Sequence, residues 1–377
     1  MKEFTAVNKV CEISHPLDWT PDKEQLFVDA CREMATFHAS HNRVIRKLYE
    51  SENFDPNSLQ KPSDLERLPH IGVTAMKKHL LLSRDPSAMT LKLTSSGTRG
   101  LKTQIWFDEE SLARVQRMLD VLLDQEGLIS DKATNYFVFG YNPKQSGDLG
   151  IAFSSQNQLR FAPVNNAAYA LNKNAEGNWE FDKHRALETL LEYSKAPEPV
   201  RLLGMPSFLF EFTEFARQQG VSFSFGKESL VLTGGGWKAA EDKQITREQF
   251  RALCFEMYGI PEDRFRDGFG MAEHSAPYFE CKHHRFHVPV YNRLIVRDPH
   301  TLEPSPRGVK GLMQLITPFN SMMPNLSILA TDWVSLDPEP CTCGHNAPTF
   351  QLHGRAGLSK HKGCALQAND IVKRVRK

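Results

Sequence analysis

The chain has 377 residues, more than the ~100–200 of an ordinary domain, so one large unit or two moderate ones are expected. Hydrophobic residues make up 40% and charged residues 24%, enough to bury a core, and no apolar run approaches the ~20 residues that span a bilayer. With 46 basic against 45 acidic residues the net charge is +1, which argues against nucleic acid or an anionic membrane as the main partner.

In chain order, the first 90 or so residues read as mainly helical. Across 23–50, Leu26, Phe27, Ala30, Met34 and Phe37 recur at three- and four-residue steps and mark one buried helix face. A β-rich run at 89–94 leads into a Ser/Gly turn, and an amphipathic helix is expected over 109–126. Strands at 136–140, 200–203, 229–233 and 264–269 then alternate with helices at 207–219 and 247–258. Such alternation indicates an α/β domain with a largely parallel sheet. From 287 to 332 the pattern turns strand-rich, with Val288-Pro289-Val290, Leu294-Ile295-Val296 and 313–317 as expected strands of a β subdomain. The expected layout is therefore a large domain over 1–353 (helical to 90, α/β to 280, β-rich to 353) and a short tail over 354–377. Too few residues follow Gly354 for an independent core. The basic end, Lys373 to Lys377, reads as a solvated charge run.

Three turns carry possible chemistry. In Thr94-Ser95-Ser96-Gly97-Thr98-Arg99-Gly100-Leu101-Lys102, small residues let backbone N–H groups approach phosphate oxygens, while Arg99 and Lys102 add positive charge. The same composition also suits an exposed hairpin, and it matches neither the P-loop nor the dinucleotide fingerprint. Gly234-Gly235-Gly236 follows an expected strand and permits close approach by a flat ring, or simply a tight turn. Phe269-Gly270-Met271-Ala272-Glu273 ends another strand, where ligands of parallel sheets collect. Glu273 there is either a Mg²⁺ ligand or an unremarkable surface acid.

The seven cysteines are scattered rather than framework-like, which fits a cytoplasmic protein with reduced thiols; Met1-Lys2-Glu3-Phe4 lacks a secretory pattern. Cys341-Thr342-Cys343-Gly344 is a tight knuckle. With Cys281 and His287 upstream it offers three thiolates and one imidazole, a tetrahedral zinc set, or four unliganded side chains in a histidine-rich loop. His283 and His284 compete for the fourth place. Cys364, beside Lys360, His361 and Lys362, has neighbours that favour the thiolate, although most lone cysteines are inert. Cys11, Cys31 and Cys254 read as packing residues.

Taken together, the Ser/Thr/Gly loop, Gly-Gly-Gly, Gly-Phe-Gly-Met-Ala-Glu, Thr331-Asp332 and Gly354-Arg355 occur in an order that resembles the adenylate-forming superfamily. Within it the chain looks most like the acyl-protein synthetases of bacterial bioluminescence operons, with phenylacetate-type CoA ligases next. The resemblance spans about Leu68 to Ala365. It implies an acyl-CoA-synthetase-like α/β fold with mainly parallel sheets and a β subdomain, lacking most of the C-terminal lid. It also implies roles. Thr94, Ser95, Ser96, Gly97, Thr98 and Lys102 would close over the ATP phosphates. Gly234, Gly235 and Gly236 would lie along adenine, with Phe269 and Gly270 flanking it. Glu273 would hold Mg²⁺, Asp332 the ribose hydroxyls, and Arg355 the ribose or phosphate.

The aryl-acid ligases place a similar Cys…His…Cys-x-Cys set here, implying structural zinc at Cys281, His287, Cys341 and Cys343. The Gly-Cys-Ala context implies that Cys364 takes the acyl group as a thioester. Four features depart from the pattern: Ala272 replaces the usual Thr, the first loop ends early, the hinge carboxylate expected after Arg355 is missing, and so are most of the lid and its catalytic lysine. The expected function is ATP-dependent activation of a fatty acid to acyl-AMP, transfer to Cys364 and delivery to a partner acyl reductase. The alternative is a CoA ligase for an aryl or fatty acid.

Overall fold

A computed structural model describes residues 4–94, 103–146, 159–237 and 244–355. The chain forms two compact units. Among the described residues, the first combines 4–94, 103–126 and 270–355; the second is centred on 127–269.

The first unit opens with helices Thr5–Cys11, Pro21–His41 and Arg43–Ser51. Thr20 caps the second through the Lys23 amide, and Pro21 supplies its first residue, where a missing N–H costs nothing. Phe27, Ala30, Met34 and Phe37 are buried as the periodicity predicts, whereas Leu26 is only half-buried. The single helix expected over 23–50 is in fact broken. Asn42 adopts extended backbone, and its side-chain oxygen accepts from the Val44 and Ile45 amides, capping a new helix. Asparagine competes with helical hydrogen bonding through such local contacts, and here it wins.

The same unit carries an antiparallel sheet in the order Phe286–His287, Thr349–Arg355, Ser327–Leu336, Gly311–Ile316, Arg293–Arg297. The short strand Ile71–Gly72 pairs in parallel with Ser327–Leu336. Strands Leu91–Thr94 and Gln104–Phe107 form a separate hairpin with Thr94 opposite Gln104. The strand expected at Val288-Pro289-Val290 does not form. The Val288 amide donates to Pro348 and the Val290 amide to Pro16, so both residues are buried in loop structure. Pro289 between them has no amide to give a ladder.

In the second unit the strands lie in the order Trp179–Phe181, Val164–Lys173, Thr134–Tyr141, Val200–Gly204, Leu230–Gly234, Phe265–Phe269. All neighbours pair in parallel except the first two. Helices Lys183–Tyr193, Pro206–Gln218 and Arg247–Tyr258 accompany the sheet. The last helix has the bounds its sequence predicts. Thr246 and Gln249 form a reciprocal cap at its start, and Gly259, at φ 63°, ends it in the left-handed conformation. An aromatic core including Phe137, Phe139, Phe208, Phe212, Phe223 and Phe250 fills this unit. Each fully buried phenylalanine contributes about 1.5–3 kcal/mol. Among the described residues no helix is long and apolar enough to cross a membrane.

Candidate active site and metal cluster

In the second unit, the site residues stand at the carboxyl ends of adjacent parallel strands. Thr233 and Gly234 are in register with Asp267 and Gly268. Thr233 Oγ1 donates to Asp267 Oδ1 at 3.0 Å, and the Gly268 amide donates to the same oxygen at 3.0 Å. These bonds clamp the two strand ends together. Gly234 ends its strand, and a Cβ there would approach the Gly268 carbonyl oxygen to 3.1 Å. Gly235 and Gly236 follow at φ 86° and 73°, a turn that L side chains resist. Trp237 closes the turn by packing edge-on against Phe210 and Phe250. Phe269 is the last residue of the neighbouring strand.

The first unit holds Gly270, Glu273, Asp332 and Arg355. Glu273 lies on the turn after Gly270 and is 6% exposed. Thr103 Oγ1 donates to its Oε1 at 2.7 Å, and Asn325 Nδ2 donates to its main-chain carbonyl at 2.9 Å. Asp332 and Arg355 face each other across the strands Ser327–Leu336 and Thr349–Arg355, with Arg355 Nε 3.8 Å from Asp332 Oδ1. Thr94 ends its hairpin strand. Ser95, Ser96, Gly97, Thr98, Lys102 and Cys364 lie outside the described residues. The sequence reading passed over Thr103, Asn325 and Asp267. Its signal for Thr103 was position alone, directly after Lys102.

Cys281, His287, Cys341 and Cys343 come together, their ligand atoms all within 4.8 Å of one another. Cys281 Sγ and Cys341 Sγ are 3.8 Å apart. Zn–S bonds of about 2.3 Å in a tetrahedron place sulfurs about 3.8 Å apart, so this spacing suits a shared ion. His287 Nδ1 lies 3.0 Å from the Ala347 carbonyl oxygen, which leaves Nε2, 3.2 Å from Cys343 Sγ, to face the thiols. Burial lowers the His287 pKa to about 4 and raises those of the Cys281 and Cys343 thiols. The imidazole therefore stays neutral, as a ligand must. His283 is engaged elsewhere, its Nδ1 2.8 Å from Thr342 Oγ1, and His284 lies near Glu280. Cys11, Cys31 and Cys254 are buried, and desolvation pushes their pKa values up, that of Cys11 to about 12. Such thiols are inert packing groups.

The fold has a counterpart among solved structures. An open conformation of 2-hydroxyisobutyryl-CoA ligase, in complex with its acyl-AMP and CoA, matches with a TM-score of 0.67. The match covers 90% of this chain and 78% of that one at 14% identity. The fold is thus that of the adenylate-forming ligases. In sequence, the chain is 24% identical over 364 residues to the long-chain-fatty-acid–luciferin-component ligase of Vibrio harveyi, covering 96% of this chain and 92% of that one. It is also 24% identical over 311 residues to the phenylacetate–coenzyme A ligase of Thermus thermophilus, covering 79% and 62%. The family described as "Acyl-protein synthetase, LuxE" matches residues 2–372, and the chain belongs to that family. It is an ATP-dependent acid–thiol ligase.

Proposed function

We propose that this ligase activates a long-chain fatty acid with ATP, passes the acyl group to Cys364 and delivers it to a partner acyl reductase. The observation that carries the reading is the family match through residue 372, which takes in both the nucleotide motifs and Cys364. The cysteine chemistry supports it. Of seven cysteines, three are buried packing groups and three belong to the metal cluster, which leaves Cys364 as the thiol for acyl transfer.

In the first step the fatty carboxylate attacks the α-phosphorus of ATP and pyrophosphate leaves. The work of the protein is positioning and charge stabilisation. Thr94, Ser95, Ser96, Gly97, Thr98 and Lys102 receive the phosphates, and Gly234, Gly235 and Gly236 lie against adenine beside Phe269 and Gly270. Asp332 and Arg355 hold the ribose end. Glu273 offers the hard oxygen donor that Mg²⁺ favours, and the ion when bound neutralises charge on the departing pyrophosphate. In the second step the Cys364 thiolate attacks the acyl carbon, a C–S bond forms, and AMP leaves with the electrons of the C–O bond. The 1–353 region performs adenylation and the 354–377 tail carries the acceptor thiol. Cys281, His287, Cys341 and Cys343 would hold zinc in a structural role, since four protein donors would leave no open position for chemistry.

Cys364→Ser tests the reading. The variant should keep fatty-acid-dependent ATP–pyrophosphate exchange and lose the hydroxylamine-sensitive acyl adduct seen by intact mass. Serine stays protonated at neutral pH and is a poor nucleophile without an activating base. An adduct on another residue would remove Cys364 from the acceptor role, and ready acylation of coenzyme A with none on the protein would establish a CoA ligase instead.

A further inference from the structure

Thr103 and Glu273 are 170 residues apart in sequence, yet their side chains meet in a 2.7 Å hydrogen bond. Thr103 is 0% exposed and Glu273 6%. A carboxylate taken out of water needs donors to replace its hydration, and a hydroxyl at this distance is such a donor. The placement of Thr103 is determined by the fold. It immediately precedes the strand Gln104–Phe107, whose register sets Gln104 opposite Thr94 and Ile105 opposite Leu93. The backbone at Glu273 is held separately, by Asn325 Nδ2 on its carbonyl oxygen. Main chain and carboxylate are thus anchored by two different elements, while the adjoining residue, Ala272, has no hydroxyl to offer.

We propose that Thr103 is a positioning residue for the Mg·ATP site. Its hydroxyl donates to Glu273 Oε1, fixes the rotamer of the carboxylate and leaves Oε2 for a divalent cation. The proposal rests on the ATP-dependent function above. A ligating carboxylate is oriented by its outer partners, and loss of such a partner typically costs about 10–100-fold in metal affinity. Valine matches threonine in shape and lacks the donor, whereas serine keeps the donor and loses only a methyl group.

The test is calorimetric titration of the full chain with ATP across a series of Mg²⁺ concentrations and in a chelator. Thr103→Val should need about 10–100-fold more Mg²⁺ to reach half of the metal-dependent gain in ATP affinity. Its affinity for metal-free ATP should stay at the wild-type value, and Thr103→Ser should lie within about twofold of wild type. Placed in a Glu273→Gln background, Thr103→Val should cause no further loss, because the partner it orients is already altered. A wild-type Mg²⁺ requirement in Thr103→Val, equal impairment of the serine variant, or an additive loss in the double variant would each overturn the role. If the valine variant does not fold, Thr103→Ala against Thr103→Ser makes the same comparison. Wild-type protein that binds no ATP would overturn the ATP-dependent reading together with this one. Normal wild-type binding with an unaltered valine variant would overturn Thr103 alone.

Discussion

Replacing Cys343 with serine isolates the contribution of the metal cluster. Cys343 is half-buried, so a serine hydroxyl there remains hydrated and leaves no buried orphan. At Cys341, which is 8% exposed, the same change would confuse metal loss with desolvation. The cluster has four donors, including Cys343 Sγ at 3.2 Å from His287 Nε2. Structural zinc contributes about 10–16 kcal/mol in zinc-finger peptides at neutral pH; shared over four donors, this is about 3 kcal/mol each. A loss of that size is about two decades in zinc affinity. In a large domain, where each kcal/mol moves the melting temperature by about 2–4 °C, it lowers melting by about 5 °C or more. The assays are elemental analysis of purified protein and calorimetric melting with and without a chelator. Wild type should carry about one zinc per chain and lose stability in the chelator, whereas Cys343→Ser should carry less and respond little. Wild-type protein that is free of metal, and melts with Cys343→Ser in either buffer, would refute the zinc assignment.

Two further outcomes are expected. Glu273→Gln should lower pyrophosphate exchange by about 100-fold, since it removes the charged ligand of the cation that would neutralise the departing pyrophosphate; exchange at the wild-type rate would remove Glu273 from the metal site. Burial lowers the pKa values of His38 and His274 to about 3, from an ordinary 6.5. The unfolded chain therefore takes up protons first as the pH falls. Stability is complete above pH 6.5 and declines towards pH 3, by about 1.4 kcal/mol per pH unit for each histidine. Denaturant unfolding at pH 7 and pH 5 measures this, and His38→Gln should flatten the pH dependence by one histidine's share. An unchanged slope in that variant would refute it.

The sequence by itself determined the features that depend on local chemistry. The helix Arg247–Tyr258 was legible at both ends because its capping residues and terminal glycine act within one turn of the chain. The glycines at 234–236 announced a turn, and their positive φ values follow from the missing side chain. The strand–helix alternation from Thr134 to Phe269 indicated a parallel sheet, since short apolar runs bounded by turns alternate there with longer stretches of helical period. The order of the motifs carried the family resemblance.

Tertiary structure decided what depends on partners far along the chain. Val288 and Val290 have strand propensity, yet their amides bond to loop carbonyls that only folding brings near. Propensity describes a residue that fits a pleated surface and does not supply the neighbouring strand. The sequence favoured His287 at the metal cluster and left His283 and His284 in competition with it. The ring of His287 is turned inwards by a bond to Ala347, 60 residues away, while His283 is drawn to Thr342. The contact between Thr103 and Glu273 had no local signal of any kind. It exists because a hairpin register and a buried turn place two side chains within hydrogen-bond reach, and a linear sequence encodes such proximity only through the packing of everything between them.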